Sequence, residues 1–351
     1  MKILITGNMG YVGPVLVRHL RRQFPQARII GVDSGFFAQC LTNAVTLPEA
    51  LLDEQHFCDV RDFSGDLLRD VDAVVQLAAI SNDPMGKRFE RVTEEINFKA
   101  SVRVAEMARE YGVRNYVFAS SCSVYGAAST GARREGDEVN PLTAYARSKI
   151  ATEESLKQMD LGGMVTTCLR FATACGMSDR LRLDLVLNDF VACALTSGRI
   201  SVLSDGTPWR PLIDVRDMAR AIEWAISRTS NDGGQFLIVN GGSDAWNYQV
   251  KDLANAVAQA IPGTEVSINT NAQSDQRSYR VDFSLFKSLA PHHAPQMSLS
   301  ESITALKEGL TEMGFKDADY RNSKNIRLKV LESHLASGLL AQDLRWTGRL
   351  F

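Results

Sequence analysis

The segment "TGNMGYVG", residues 6–13, follows directly on the apolar run "KILI" at residues 2–5. Its glycines stand at positions 7, 10 and 13, with the spacing G-x-x-G-x-x-G. Glycine allows the tight turn and close approach that a pyrophosphate needs, and the start of the following helix offers unpaired N–H groups. A predicted strand and a predicted helix flank the segment, which is the context in which this spacing binds a dinucleotide. We therefore predict dinucleotide contacts from Gly7, Asn8, Met9, Gly10, Tyr11, Val12 and Gly13.

Beyond this turn, buried-strand patterns alternate with amphipathic stretches. The strand patterns are "ARIIGVD" (27–33), "DAVVQLAA" (72–79), "RNYVFASS" (114–121) and "MVTTCLRF" (164–171). Such alternation is typical of βαβ units and of a parallel sheet covered on both faces. We predict an α/β fold with a doubly wound parallel sheet.

The alternation is interrupted near residue 171, which indicates a second, smaller α/β lobe. The segment 179–198 is predicted to be helical, and "GQFLIVNGG" (234–242) reads as one more buried strand. We assign residues 1–170 to the dinucleotide-binding domain, with a strand near 235–240 returning to it. Residues 171–320 form mainly the substrate lobe, and residues 321–351 a C-terminal helical extension.

The ends of the later strands predict which dinucleotide is bound. Asp33 ends the second strand, where a carboxylate accepts hydrogen bonds from the adenosine ribose. No Lys or Arg closely follows Asp33 to neutralise a 2′-phosphate, although Arg28 precedes the strand, so NAD is favoured over NADP. Further cofactor contacts are expected at the ends of the third and fourth strands, from Asp59, Val60, Leu77, Ala78 and Ala79.

Tyr145 and Lys149 stand four residues apart in "NPLTAYARSK" (140–149), where Asn140 or Thr143 is the predicted helix cap. Side chains at i and i+4 share one helix face. An ammonium beside a phenol favours the phenolate and is expected to lower the tyrosine pKa from about 10. Such a tyrosine takes the proton from an alcohol while hydride leaves the same carbon for NAD. Ser121, at the end of a strand, would hold the oxygen.

The composition argues against several classes of function. A formal net charge of -2 gives no overall attraction to nucleic acid or to an anionic membrane. No apolar run has the length of a membrane span, and "MKILITG" is too short before its glycine to be a signal peptide. The six cysteines include no C-x-x-C pair, and the five histidines show no metal-binding spacing. We predict a cytoplasmic protein with reduced thiols and no metal site.

The set "TGNMGYVG", Asp33, "LAA" (77–79), "SSCSVYG" (120–126) and "YARSK" (145–149) resembles the extended short-chain dehydrogenase/reductase family. Its nearest likeness is to the NAD-dependent nucleotide-sugar epimerases and dehydratases, over about residues 1–290. The resemblance implies a Rossmann domain with a C-terminal nucleotide-sugar lobe, and a homodimer formed by helices near residues 95–111 and 143–159. It also implies a catalytic triad of Ser121, Tyr145 and Lys149, of which Tyr145 and Lys149 also contact the cofactor.

The two residues that follow Ser121 bear on the reaction. The 4,6-dehydratases of this family carry an Asp-Glu pair there, whereas this chain has Cys122 and Ser123. We therefore favour an NAD-dependent nucleotide-sugar epimerase that transiently oxidises a sugar hydroxyl, at C4, to a ketone. The alternatives are a 4-ketoreductase or a dehydratase on the same fold, and a non-catalytic NAD-binding sensor.

The substrate's diphosphate requires local cations. By resemblance, Arg210 in "GTPWRPLIDV" and Arg277 in "SDQRSYRVD" are phosphate-binding residues. "RPLIDV" departs from the family by placing Leu212 and Asp214 where Tyr and His are usual, and "FATACG" places Thr173 near an expected Asn. The full set of predicted substrate contacts is Ser81, Asn82, Ser121, Thr173, Arg180, Asn188, Arg210 and Arg277, with Arg182 beside them.

Overall fold

A computed structural model describes residues 1–42, 44–127, 131–272 and 278–348. The strands are β1 Lys2–Thr6, β2 Arg28–Asp33, β3 Glu54–Phe57, β4 Ala73–Gln76, β5 Asn115–Ser121, β6 Ala132–Arg133, β7 Val165–Phe171, β8 Thr173–Cys175, β9 Arg199–Val202, β10 Trp209–Asp214, β11 Phe236–Gly241, β12 Asn247–Gln249, β13 Glu265–Ile268 and β14 Arg280–Val281. The helices are α1 Gly13–Gln23, α2 Asp83–Arg88, α3 Glu90–Thr93, α4 Ser101–Glu110, α5 Ala144–Gln158, α6 Val186–Thr196, α7 Val215–Ser227, α8 Val250–Ala260, α9 Ser284–Leu289, α10 Leu299–Glu312 and α11 Arg327–Ala336.

A parallel sheet of seven strands forms the centre of the protein, in the order β11-β7-β5-β4-β1-β2-β3. Strand β11 pairs with β7 from Phe236 opposite Thr166 to Gly241 opposite Phe171. The order reverses direction at β1, so the carboxyl ends of β1 and β4 open a crevice between them, where ligands bind in such sheets. The predicted Rossmann fold is confirmed.

Both faces of this sheet are buried, as alternation along β1 illustrates. Ile3 and Ile5 belong to the hydrophobic cluster under α1 and α7, whereas Leu4 belongs to the cluster under α4 and α5. The first cluster continues into the smaller lobe, where α6, α8 and α10 pack together beside the three-stranded sheet β12-β10-β8. One apolar core therefore joins the lobe to the sheet.

The predicted helix over 179–198 is only partly correct, because α6 begins at Val186. In the preceding residues, tertiary partners take the place of helical hydrogen bonds. The backbone N–H of Leu181 donates to Thr42 Oγ1 (3.1 Å), and that of Leu183 donates to the carbonyl of Asn325 (3.0 Å). This irregular stretch lets the side chains of residues 180–184 point in several directions instead of along one helix face.

The chain ends in a segment, residues 320–348, that packs on the loop after β2 and on the loop after β3. Trp346 Nε1 donates to the carbonyl of Ser34 (2.6 Å), and Arg61 Nη1 donates to the carbonyl of Asp343 (2.9 Å). Arg345 forms an ion pair with Asp62. We call residues 320–348 the C-terminal segment. Among the helices described for this chain, none has the length and apolar character needed to span a bilayer.

Candidate active site

The glycine-rich turn links β1 to α1 under tight steric limits. Gly7 has φ +72°, and a Cβ there would lie 2.6 Å from the backbone nitrogen of Ala78. A Cβ on Gly13 would lie 2.0 Å from the carbonyl oxygen of Asn8. Only glycine fits these positions, and Pro14 then occupies the first turn of α1, where its missing N–H costs nothing. The turn leaves an open surface at the start of α1, as a diphosphate requires.

Asp33 lies beside this turn. Its carboxylate accepts hydrogen bonds from the backbone N–H of Met9 (2.9 Å) and of Gly35 (2.8 Å). Burial raises the pKa of Asp33, and these two hydrogen bonds oppose the rise. The glycine turn and the end of β2 are thus fixed to each other by an acidic side chain that also lines the cleft.

Helix α5 presents the predicted Tyr145 and Lys149 to the same cleft. Thr143, one of the two predicted caps, is the observed N-cap, and its Oγ1 accepts the N–H of Ala146 (3.1 Å). Lys149 Nζ donates to the carbonyl of Ala119 (2.6 Å) and lies 5.5 Å from the centre of the Tyr145 ring. Ser121 forms a hydrogen bond with Tyr145 that lowers the pKa of the phenol.

The predicted fall in the pKa of Tyr145 is wrong for the protein alone. Burial raises the pKa of Tyr145 to about 12, a rise that the Ser121 hydrogen bond and the charge of Arg182 only partly offset. Burial also lowers the pKa of Lys149 to about 8, since the ammonium loses its water. The ammonium lies 4.6 Å from the centre of the Phe118 ring and has no direct bond to the phenol.

A buried ion pair supports this face of α5. Glu153, one turn beyond Lys149, pairs with Arg170 of β7 (2.7 Å), and both side chains are at most 5% exposed. Ser120 Oγ donates to the same carboxylate (2.5 Å). The pair joins α5 to β5 and β7 directly beneath the catalytic candidates, so it sets the height of the helix over the sheet.

A cleft of about 670 Å³ collects most of the predicted site residues. On the cofactor side it is lined by Gly7, Gly10, Tyr11, Val12, Asp33, Asp59, Val60, Leu77, Ala78, Ala79, Tyr145 and Lys149. On the substrate side it is lined by Ser81, Asn82, Ser121, Thr173 and Arg210. Of the cofactor set, Asn8, Met9 and Gly13 lie behind the turn and do not line the cleft.

Two predicted substrate residues have structural roles instead. Arg180 is buried in a bidentate pair with Glu49 (2.7 and 3.1 Å) and does not line the cleft. Asn188 is fully buried, accepting the N–H of Gly176 and donating to Tyr11 and to the carbonyl of Arg182. Their hydrogen bonds to Glu49, Tyr11, Gly176 and Arg182 hold both side chains inside the protein. Arg277 lies outside the described residues.

The departures from the family pattern in "RPLIDV" also lie away from the cleft. Leu212 is part of the apolar core. Asp214 caps α7 and accepts hydrogen bonds from Arg216 and from Ser302 Oγ (2.5 Å). These two residues therefore stabilise the lobe.

Arg182, predicted beside the substrate contacts, lines the cleft, and so does Arg327, to which sequence reasoning gave no role. Arg182 donates to Ser81 Oγ (3.1 Å) and pairs with Asp184 (2.6 Å), which in turn accepts from Asn82 (2.6 Å). Arg182 thereby holds the two predicted sugar contacts in place. Arg327 reaches the cleft from the C-terminal segment. Arg327 lies far in sequence from every recognised motif, so no sequence pattern predicted that it would line the cleft.

Cys122 does not replace the carboxylic acid of a dehydratase. Its thiol is fully buried and donates to the carbonyl of Arg170 (3.0 Å), and burial raises its pKa. A thiol in this state neither donates nor accepts protons near neutral pH. The remaining described cysteines are free thiols as well.

Comparison with known proteins gives a consistent picture. A sequence model of the NAD dependent epimerase/dehydratase family matches residues 3–240. An uncharacterised UDP-glucose epimerase of Bacillus subtilis, YtcB, is 26% identical over 314 residues, covering 87% of this chain and 96% of that protein. The UDP-glucose 4-epimerase of Corynebacterium glutamicum is 27% identical over 270 residues, covering 72% and 78% respectively.

Among solved structures, MoeE5 in complex with UDP-glucuronic acid and NAD superposes with a TM-score of 0.76. The alignment covers 89% of this chain and 99% of that one, at 24% identity. This likeness supports the fold, including the placement of the smaller lobe.

Proposed function

Since the chain belongs to the NAD-dependent epimerase/dehydratase family, we propose that it is a nucleotide-sugar epimerase that oxidises and re-reduces a sugar hydroxyl at C4. One observation carries the proposal. Ser121, Tyr145 and Lys149 line the same cleft as the glycine turn, while the dehydratase acid position holds a buried, inert thiol.

The residues present fit NAD. Gly7 and Gly10 line the cleft at the tight turn before α1, and Asp33 offers a carboxylate at the end of β2 to an adenosine ribose. When bound, NAD takes up hydride from the sugar carbon and returns it. The small side chains of Ala78 and Ala79 give the nicotinamide half room along the end of β4.

We assign the proton transfer to Tyr145. Its phenolate would take the proton of the sugar hydroxyl, while Ser121 holds that oxygen with a hydrogen bond. The phenol of the protein alone titrates near pH 12, so the site must lower this pKa when it is loaded. A bound positive ring beside the phenol and the ammonium of Lys149 would act in that direction. The keto sugar would then rotate and receive hydride on its other face, with the proton returned by Tyr145.

Two alternatives use the same cleft. A dehydratase would need an acid for the departing hydroxyl, and Asp184 is unsuited because Arg182 and Asn82 hold its pKa low. A 4-ketoreductase would consume NADH in stoichiometric amounts. A non-catalytic NAD sensor would have no use for a tyrosine hydrogen-bonded to Ser121 within the cleft.

We propose that the lobe of residues 171–320 binds the nucleotide diphosphate. Arg210 and Thr173 line the cleft on its side, across from Ser81 and Asn82. A guanidinium at Arg210 suits diphosphate oxygens. Relatives are named for UDP-sugars, so these are the first substrates to test.

The decisive experiment follows isomerisation by mass spectrometry and chromatography in deuterated water. The protein, with NAD, is incubated with UDP-, GDP-, CDP- and dTDP-sugars. A new isomer without net NADH and without deuterium supports C4 epimerisation. A product lighter by one water, or consumption of NADH, would replace the proposal with one of the alternatives. Tyr145→Phe is expected to abolish turnover and leave NAD affinity nearly unchanged, and a fully active variant would contradict the assigned role.

We also propose a cytoplasmic homodimer. Helices α4 and α5 pack side by side on one face of the sheet, which supports the pair of helices expected from the family as the interface. The free thiols among the described cysteines are consistent with a reducing compartment. Light scattering of the purified protein measures the oligomeric state directly.

A further inference from the structure

Arg327, the first residue of α11, is a buried cation at the wall of the cleft. Arg327 is 1% exposed, and its guanidinium lies 4.9 Å from the centre of the Phe37 ring. Nη2 donates to the carbonyl of Arg180 (2.7 Å) and Nη1 to that of Lys324 (3.3 Å). These two bonds hold the guanidinium but do not neutralise it.

The two arginines nearest to Arg327 are each paired with a carboxylate, and Arg327 is not. Arg180 pairs with Glu49 and Arg182 with Asp184, both within 2.7 Å. Within the part of the chain that the structure describes, no carboxylate oxygen lies within 4.0 Å of Arg327. Burying an unpaired charge costs several kcal/mol. Burial accordingly lowers the pKa of Arg327 to about 10, which leaves the side chain charged at neutral pH.

The position of Arg327 in its helix does not offset the cost of burying its charge. A cation at the first position of a helix faces the positive end of the helix dipole, where an anion is favoured. Cys40 and Asp184 raise the pKa of Arg327, whereas the charges of Arg182 and Arg180 lower it, so burial remains the dominant effect. The described residues offer the guanidinium two carbonyls and an aromatic ring but no carboxylate within 4.0 Å, which leaves it suited to an anionic ligand.

The surroundings of Arg327 locate that partner. Phe37, under the guanidinium, belongs to the loop that follows Asp33. The stretch that carries Arg180 is bonded to the glycine turn, where Ser178 Oγ donates to the carbonyl of Tyr11 (2.7 Å). Arg327 thus contacts two stretches of chain, one that continues from Asp33 and one that is bonded to the glycine turn. In this fold the diphosphate of a bound dinucleotide passes the glycine turn at the start of α1.

We propose that Arg327 binds the diphosphate of NAD and that the C-terminal segment acts as a clasp on the adenosine half of the cofactor. Trp346, Arg345 and Asp343 fasten that segment to the loops after β2 and β3, next to Asp33. An enzyme that must keep its reduced cofactor until hydride returns benefits from such a closure. The inference rests on the use of NAD and is independent of which sugar is epimerised.

The test compares Arg327→Gln with Lys329→Gln, a control at an exposed position of the same helix whose side chain pairs with Glu332. Affinities of the NAD-free full-length protein are measured by calorimetry for NAD, ADP-ribose, 5′-AMP, 2′-AMP and adenosine. Loss of a charge-assisted hydrogen bond is expected to weaken NAD and ADP-ribose binding roughly 10- to 100-fold in Arg327→Gln, with adenosine unchanged. The control is expected to match the wild type.

Stability distinguishes a ligand-binding role from a structural one. Without NAD, Arg327→Gln is expected to melt at or above the wild-type temperature, because an unpaired buried charge has been removed. The rise in melting temperature on adding NAD should shrink. Arg327→Lys is expected to recover part of the affinity.

Several outcomes would overturn the proposal. Unchanged NAD affinity, or an equal loss for adenosine, would remove the diphosphate contact. A loss confined to 2′-AMP would move the contact to a 2′-phosphate. All these measurements omit the sugar reaction, so failure of the epimerase proposal would leave them intact.

Discussion

Replacing Lys149 by Met should stabilise the protein even though Lys149 belongs to the proposed catalytic set. The ammonium is 3% exposed, and burial lowers its pKa from 10.5 to about 8. Since each tenfold change in proton affinity is worth about 1.4 kcal/mol, holding this charge at neutral pH costs about 3 kcal/mol. The variant loses the charge-assisted hydrogen bond to the carbonyl of Ala119, worth about 2 kcal/mol, so a net gain of about 1 kcal/mol is expected.

Thermal unfolding of the NAD-free protein measures this gain. For 351 residues the entropy of unfolding is about 0.7 kcal/mol/K, so Lys149→Met should melt about 1 °C higher at pH 7. The advantage must fade at higher pH. Between pH 8 and 10.5 the folded wild type has released the Lys149 proton while the unfolded chain retains it, so wild-type stability rises relative to the variant.

The control for this experiment is Lys157→Met, at an exposed position two turns further along α5. Its melting temperature should differ little from the wild type and by the same amount at every pH. The reasoning would be refuted if Lys149→Met melted below the wild type at pH 7. It would equally be refuted if the difference in melting temperature stayed constant from pH 7 to pH 10. Loss of turnover in the more stable variant would identify Lys149 as a residue kept for function at a cost in stability.

Two further predictions concern the cofactor side of the cleft. Gly7→Ala should lower both stability and NAD affinity, because its Cβ would lie 2.6 Å from the backbone of Ala78. The control is Gly131→Ala, because Gly131 has a similar φ of +69° but no atom within 4 Å of the added Cβ. It therefore measures the cost of the backbone conformation without the steric clash. Calorimetry and melting curves that showed equal effects for the two variants would contradict the steric argument. Cys58, half-buried at the cleft wall, should be the described cysteine that iodoacetamide modifies first in the folded protein, and NAD should protect it. Peptide mapping that found Cys122 modified first would contradict its burial.

Sequence reasoning located the parts of the site that depend on local chemistry. The glycine turn, the Thr143 cap and the shared face of Tyr145 and Lys149 follow from spacing within one or two elements, and the structure reproduces all three. Ser121 follows from its place at a strand end. Such features need only the right secondary structure.

The missed features depend on contacts between distant parts of the chain. Helix α6 begins at residue 186 and not at the predicted residue 179, because Thr42 and Asn325 accept hydrogen bonds from the preceding backbone. No local sequence pattern encodes these bonds. The pKa of Tyr145 rose because burial outweighs its neighbours, and burial is a property of the assembled cleft. Arg327 comes from beyond every recognised motif.

The pairing of β7 with β11 has a consequence for synthesis on the ribosome. The end of β7 at residue 171 and the start of β11 at residue 236 are separated by 65 positions. At about 5–20 residues per second, translation needs about 3 to 13 s to supply the missing strand. Throughout that interval the nascent sheet exposes the hydrogen-bonding edge of β7 to other chains. Newly made protein is therefore most prone to aggregation in this interval, and substitutions that delay β11 would reduce yield even where the finished protein is stable.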